Sequence, residues 1–91
     1  MNTSQLNGET LEGILKRLRR IEGQVRGLQR MVEEGRSCEE VLTQMTAAKR
    51  AMESASALIL QEFLTLCAND IARGDHKKPA QIAAMLRRFV G

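Results

Sequence analysis

Ninety-one residues carry a formal charge of +3, only two aromatic residues and only two cysteines. A chain of this size makes one domain with a thin core, which excludes a large buried active site and leaves little for an aromatic stacking platform to be built from. Ala, Leu, Glu and Arg dominate, the composition of long helices, and the pI near 9.3 points to a polyanionic partner.

Residues 1–8 are polar and read as a disordered lead ahead of a single domain over 1–91. They look like neither a secretory leader nor a membrane span. The first helix is expected from Thr10 to Glu34. Leu11, Ile14, Leu18, Ile21, Val25, Leu28 and Val32 alternate steps of three and four, a heptad seam widened by Leu15 and Met31. Gly35 is placed to end the helix as its C′ residue.

The same helix carries Lys16, Arg17, Arg19, Arg20, Arg26 and Arg30, with Glu22 the only acid between Gly13 and Val32. A solvated face opposite the seam is the plain explanation. Phosphate binding is the alternative, favoured because the run has one sign and is rich in Arg, which grips phosphate in bidentate fashion. Gly23 and Gly27 share one face and leave room for a backbone to come close. Lys49 and Arg50 on the next helix extend the basic surface. No helix-turn-helix or zinc-finger pattern is present.

The second helix opens on Ser37-Cys38-Glu39-Glu40, a capping box with Ser37 as N-cap. Val41, Met45, Ala48, Met52, Ala55, Ile59 and Leu66 continue a seam through an Ala- and Met-rich middle, where a partner helix could approach closely. No glycine or proline interrupts the chain between Gly35 and Gly74. A polar loop, 75–78, then precedes a short third helix opened by Pro79, with Ile82, Met85, Leu86, Phe89 and Val90 on one face. The fold class is therefore all-α, three helices per chain, and such amphipathic helices favour oligomers.

Cys38 and Cys67 fall on this one second helix, about 43 Å apart at ~1.5 Å of rise per residue. A disulfide needs Cα atoms within about 7 Å, so the thiols cannot meet within a chain unless the helix breaks. Across two antiparallel copies of the helix they can, as a Cys38/Cys67′ site at each end. Two small buried hydrophobes are the inert alternative. Cys38 follows the N-cap, where free N–H groups and the helix dipole favour a thiolate; Arg36 helps, while Glu39 and Glu40 oppose. Cys67 has no evident activating charge. An activated and a quiet thiol suit an attacking and resolving pair. Two thiolates also suit a soft ion such as Cu(I), but not tetrahedral zinc, and the lone His76 sits in a loop where solvent exposure is expected. Nothing resembles a hydrolase motif or paired catalytic carboxylates, so no enzyme activity and no resident cofactor are expected. Two cysteines without a disulfide framework fit a cytoplasmic protein.

Residues 17–28, Arg-Leu-Arg-Arg-Ile-Glu-Gly-Gln-Val-Arg-Gly-Leu, followed by Cys38 and Val41-Leu42-Thr43-Gln44, resemble the CsoR/RcnR family of bacterial repressors. The likeness covers about Leu11 to Cys67 and is weaker over the third helix. It implies an antiparallel four-helix-bundle dimer, pairing of dimers into a homotetramer, and operator double-stranded DNA bound through Lys16, Arg17, Arg19, Arg20, Arg26, Lys49 and Arg50. It also implies release of the operator when an inducer reaches a site between protomers. The family's copper sensors use Cys, His and Cys; the cysteines fall on Cys38 and Cys67, and the histidine position falls on Phe63. That departure disfavours nickel, cobalt and Cu(I). Formaldehyde sensors use the same histidine and an N-terminal proline, where this chain has Asn2. Two cysteines without the histidine are similar to the persulfide-sensing CstR branch, in which thiols of different protomers react with sulfane sulfur. The expected function is a cytoplasmic repressor sensing reactive sulfur through Cys38 and Cys67′. A Cu(I)-responsive repressor using the same two thiolates is the alternative, and a purely structural oligomerisation module the rival from another class.

Overall fold

Helix stop signals account for most of the architecture. The computed structural model describes residues 2–89, which form α1 (Gly8–Glu33), α2 (Cys38–Ala72) and α3 (Lys78–Phe89), with no strand among them. Gly35 has φ 71° and Gly74 φ 101°, the left-handed region that glycine enters without a Cβ penalty. Both close Schellman motifs. After α1, the Gly35 N–H donates to Val32 C=O (3.1 Å) and the Arg36 N–H to Met31 C=O (3.0 Å). After α2, the Gly74 N–H donates to Ile71 C=O (3.0 Å) and the Asp75 N–H to Asp70 C=O (3.1 Å). Carbonyls that would otherwise end each helix unpaired are thereby satisfied.

The helix starts are also capped by side chains. Asn7 Oδ1 accepts the Glu9 N–H at 2.8 Å, and Ser37 Oγ accepts the Glu40 N–H at 3.1 Å. Only this half of the capping box at Ser37 forms. The Glu40 carboxylate turns instead to Arg36, with Oε2 2.7 Å from Nε and 2.6 Å from Nη2.

Residues 2–8 differ from the disordered lead that their polarity suggested. Thr3–Gln5 form a 3-10 turn, Leu6 is buried, and α1 begins at Gly8 rather than Thr10. One buried leucine supplies the apolar anchor, and Asn7 stops the turn and starts the helix. Lys78, expected in the loop, is the first residue of α3. Val90, expected on the apolar face of α3, lies outside the described residues.

The chain divides into two compact units, Met1–Ile59 and Leu60–Gly91. In the first, Ile14, Ile21 and Ala55 are buried. The heptad seam of α1 divides: Leu11 and Leu28 are half-buried, whereas Leu18, Val25 and Val32 remain exposed, Val32 by 63%. Leu42, Met45 and Met52 are exposed on α2. In the second unit Cys67 is the only described residue with no accessible surface. Phe63, Leu64, Leu66, Ile82, Met85 and Leu86 are half-buried there. Lys78 Nζ on α3 lies 3.3 Å from Asp70 Oδ2 on α2.

Candidate nucleic-acid interface and sensing thiols

Along α1 the charges sort by helical phase. At 100° per residue Lys16, Arg19, Arg26 and Arg30 share a face centred on Gly23, and all four are exposed. A Cβ added at Gly23 or Gly27 would meet no atom within 4 Å, so this face is open to close approach. Arg26 pairs with Glu22 at 3.4 Å, both two-thirds exposed; an exposed i,i+4 pair of this kind is weak and readily exchanged. Arg17 departs from the stripe. Its phase turns it toward α2, where its Nη1 donates to Ser54 Oγ at 3.0 Å. Arg20, Lys49 and Arg50 are exposed, and no ion pair engages them among the described residues. A shallow cleft between α1 and the start of α2 is lined by Gln24, Arg30, Arg36 and Gln44. Gln24 Oε1 is buried without a hydrogen-bond partner among the described residues.

The two cysteines occupy opposite environments. Cys38 is the first residue of α2 and is exposed; Cys67 is buried, and both are free thiols. Arg36, expected to assist Cys38, is committed to Glu40. Burial pushes the Cys67 thiol above its ordinary range. Lys78 partly offsets this, while Asp70 and Asp75 add to it. Lys78 is thus a cation near Cys67 that the sequence reading did not find; only the turn at Gly74 and the return of α3 bring it back. His76 is exposed in the loop, as expected. No group of three His, Cys, Asp or Glu that could hold a metal occurs among the described residues of the chain. Phe63, at the position of the family's histidine, supplies no donor. Among these three positions the chain therefore offers sulfur donors at Cys38 and Cys67 and none at Phe63.

Helical fold, basic α1 face and two free thiols on α2 together define a class, and the chain belongs to it: the family model for metal-sensitive transcriptional repressors matches residues 10–88. The copper-sensing transcriptional repressor RicR of Mycobacterium tuberculosis is 42% identical over 79 residues, covering 82% of this chain and 82% of RicR. The copper-sensing transcriptional repressor CsoR of Bacillus subtilis is 44% identical over 78 residues, covering 84% and 77%. Among solved structures, the copper-sensing repressor CsoR with Cu(I) from Geobacillus thermodenitrificans superposes with TM-score 0.84 at 33% identity, over 93% of this chain and 91% of that one. The nickel-responsive transcriptional regulator InrS superposes with TM-score 0.80 at 36% identity, over 87% and 91%. The family is one of repressors, not enzymes. No helix among the described residues is long and apolar enough to cross a membrane.

These relatives do not support the inducer expected from the sequence. Phe63, where the resemblance places a histidine, is what points from metal to sulfane sulfur. The relatives found are copper and nickel regulators, which lends no support to a sulfane-sulfur inducer and favours the two-thiolate Cu(I) alternative.

Proposed function

We propose that this chain is a cytoplasmic, operator-binding repressor, assembled as a homodimer or homotetramer, that releases DNA when Cu(I) is bound by Cys38 of one protomer and Cys67 of another. The observation that carries the metal reading is the set of relatives, copper-sensing repressors at 42% and 44% identity, with which the donor set is compatible. Thiolates select soft Cu(I) over harder ions, and two sulfurs are too few for a tetrahedral zinc centre. Cys38 and Cys67 sit at opposite ends of α2, so an antiparallel second copy is the simplest way to join them. The exposed Leu42, Met45 and Met52 follow Cys38 along α2 and offer apolar surface for that copy. DNA binding rests on the exposed Lys16, Arg19, Arg20, Lys49 and Arg50, with Arg17 and Arg26 beside them.

Each thiol must lose its proton to ligate the metal. Exposed Cys38 is accessible from solvent, whereas Cys67 must be reached through its covering residues. Binding can release DNA only if the ion prefers the DNA-free shape, and a site that closes across two protomers couples their relative placement to occupancy. Sulfane sulfur is the second reading, favoured by one observation: Phe63 stands where a third ligand would be. The deciding experiment adds Cu(I), held by a chelator of known affinity, or cysteine persulfide to the DNA-bound protein. Release by buffered Cu(I), lost in Cys38→Ala and Cys67→Ala, supports the proposal; release by persulfide alone overturns it.

A further inference from the structure

One polar side-chain contact links α1 to α2 among the described residues of the first unit: the hydrogen bond from Arg17 Nη1 to Ser54 Oγ, 3.0 Å. Every other side-chain hydrogen bond or ion pair in this unit spans four residues or fewer. A second contact fixes the register. A Cβ on Gly13 would lie 3.9 Å from Leu58 Cδ2. In both pairs the residue numbers sum to 71, so α1 and α2 run antiparallel on that register. Arg20, one turn beyond Arg17, then lies level with Arg50, one turn before Ser54. Arg20 and Arg50 are exposed without an ion pair, although Glu53 is near in sequence. The register thus brings the backbone positions of Arg17, Arg20 and Arg50 within about one helical turn of one another along the helix pair. Like charges gathered without counter-charges repel one another, and an anion between them relieves that repulsion.

We propose that Ser54 is a positioning residue: its hydroxyl holds Arg17 at the α1–α2 edge, so that Arg17, Arg20 and Arg50 form one cradle for a DNA backbone phosphate. The inference rests on the reading that the basic surface binds DNA. The bond to Ser54 uses a hydrogen of Nη1 and leaves the Nε and Nη2 edge of the fork for bidentate contact with phosphate oxygens. A long arginine stem loses rotamer freedom when it docks, and a stem already tied in the free protein has less to lose. Ser54 carries no charge and cannot contribute to the counterion term itself. Its effect therefore reaches DNA only through Arg17.

The test uses the full chain and a labelled duplex selected in vitro for tight binding to the wild type, with affinity measured across a salt series and thermal midpoints in parallel. Ser54→Ala should weaken binding about 5-fold, the loss expected for one hydrogen bond. Its plot of log affinity against log salt should flatten toward that of Arg17→Ala, which loses about one phosphate contact, a slope change near 0.9. Ser54→Thr, which keeps the hydroxyl, should bind as the wild type does. Ser54→Ala added to Arg17→Ala should change nothing further, and the thermal midpoint of Ser54→Ala should match the wild type. If Arg17→Ala weakens binding and Ser54→Ala leaves affinity and slope intact, the positioning role is wrong and the DNA reading stands. A lowered midpoint with unchanged slope overturns it too, by making the bond merely structural. If Arg17→Ala itself changes neither affinity nor slope, the cradle and the DNA reading at this edge both fail.

Discussion

Raising salt from 50 to 200 mM should strip this protein from DNA, by an amount that its free cations set. On this basic surface Lys16, Arg17, Arg19, Arg20, Arg30, Lys49 and Arg50 are exposed and carry no ion pair among the described residues, seven charges per protomer. If each meets a phosphate, log affinity falls with log salt at about 0.9 × 7, or ~6.3. A fourfold rise in salt is about 0.6 of a log unit, so one engaged protomer loses roughly 10⁴-fold in affinity. Removing one free charge, Arg20→Ala, should flatten the slope by about 0.9. Arg26→Ala should flatten it less, because Glu22 already neutralises part of that charge at 3.4 Å. Glu22→Gln should steepen it by freeing Arg26. Fluorescence anisotropy of a labelled duplex across a salt series measures all four. A slope below about 2, or an Arg26→Ala effect equal to that of Arg20→Ala, would refute phosphate binding by this face as assigned.

Gly35→Ala should destabilise the chain by about 1–2 kcal/mol in chemical denaturation, since a Cβ is forced into the left-handed region; Gly27→Ala, where nothing lies within 4 Å and the backbone is helical, should not. Burial raises the Cys67 thiol, so the unfolded chain gives up that proton first as pH climbs. Its contribution is intact below the ordinary thiol range, near 8.5, and is lost as pH rises through the folded value; Cys67→Ala should therefore show a shallower fall in stability above about pH 8.5. Phe63→His should strengthen Cu(I) binding in competition with a chelator, because imidazole adds a third donor beside the two sulfurs. An unchanged competition curve would show that position 63 does not face the thiols.

The helices were largely legible because their signals are local. Gly35, Gly74, Ser37 and Pro79 act within a turn of where they stand, and the structure uses each of them near the expected place. Residues 2–8 were misread because polarity hides a single buried leucine, and Leu6 has no periodic partner to announce it. The basic face was visible as one-signed charge. Its division was not: Arg17 faces α2 only through the register of the hairpin, and Ser54 gains meaning only there. The seam of α1 was read whole, yet one chain covers only part of it. Arg36 is expected to serve Cys38, but Glu40 lies one helical turn away and takes it in an i,i+4 pair. At Phe63 a missing ligand reads as a lost metal, although Cu(I) accepts two sulfurs.

The most direct measurement is DNA release under chelator-buffered Cu(I), run for the wild type, Cys38→Ala and Cys67→Ala, with cysteine persulfide in a parallel series. The dithiol repressor proposed here should leave its duplex as buffered Cu(I) rises, and both variants should stay bound while keeping wild-type affinity in the metal's absence. A Cys38→Ala protein that still leaves DNA with Cu(I), or a wild type that ignores Cu(I) and leaves only with persulfide, would contradict it.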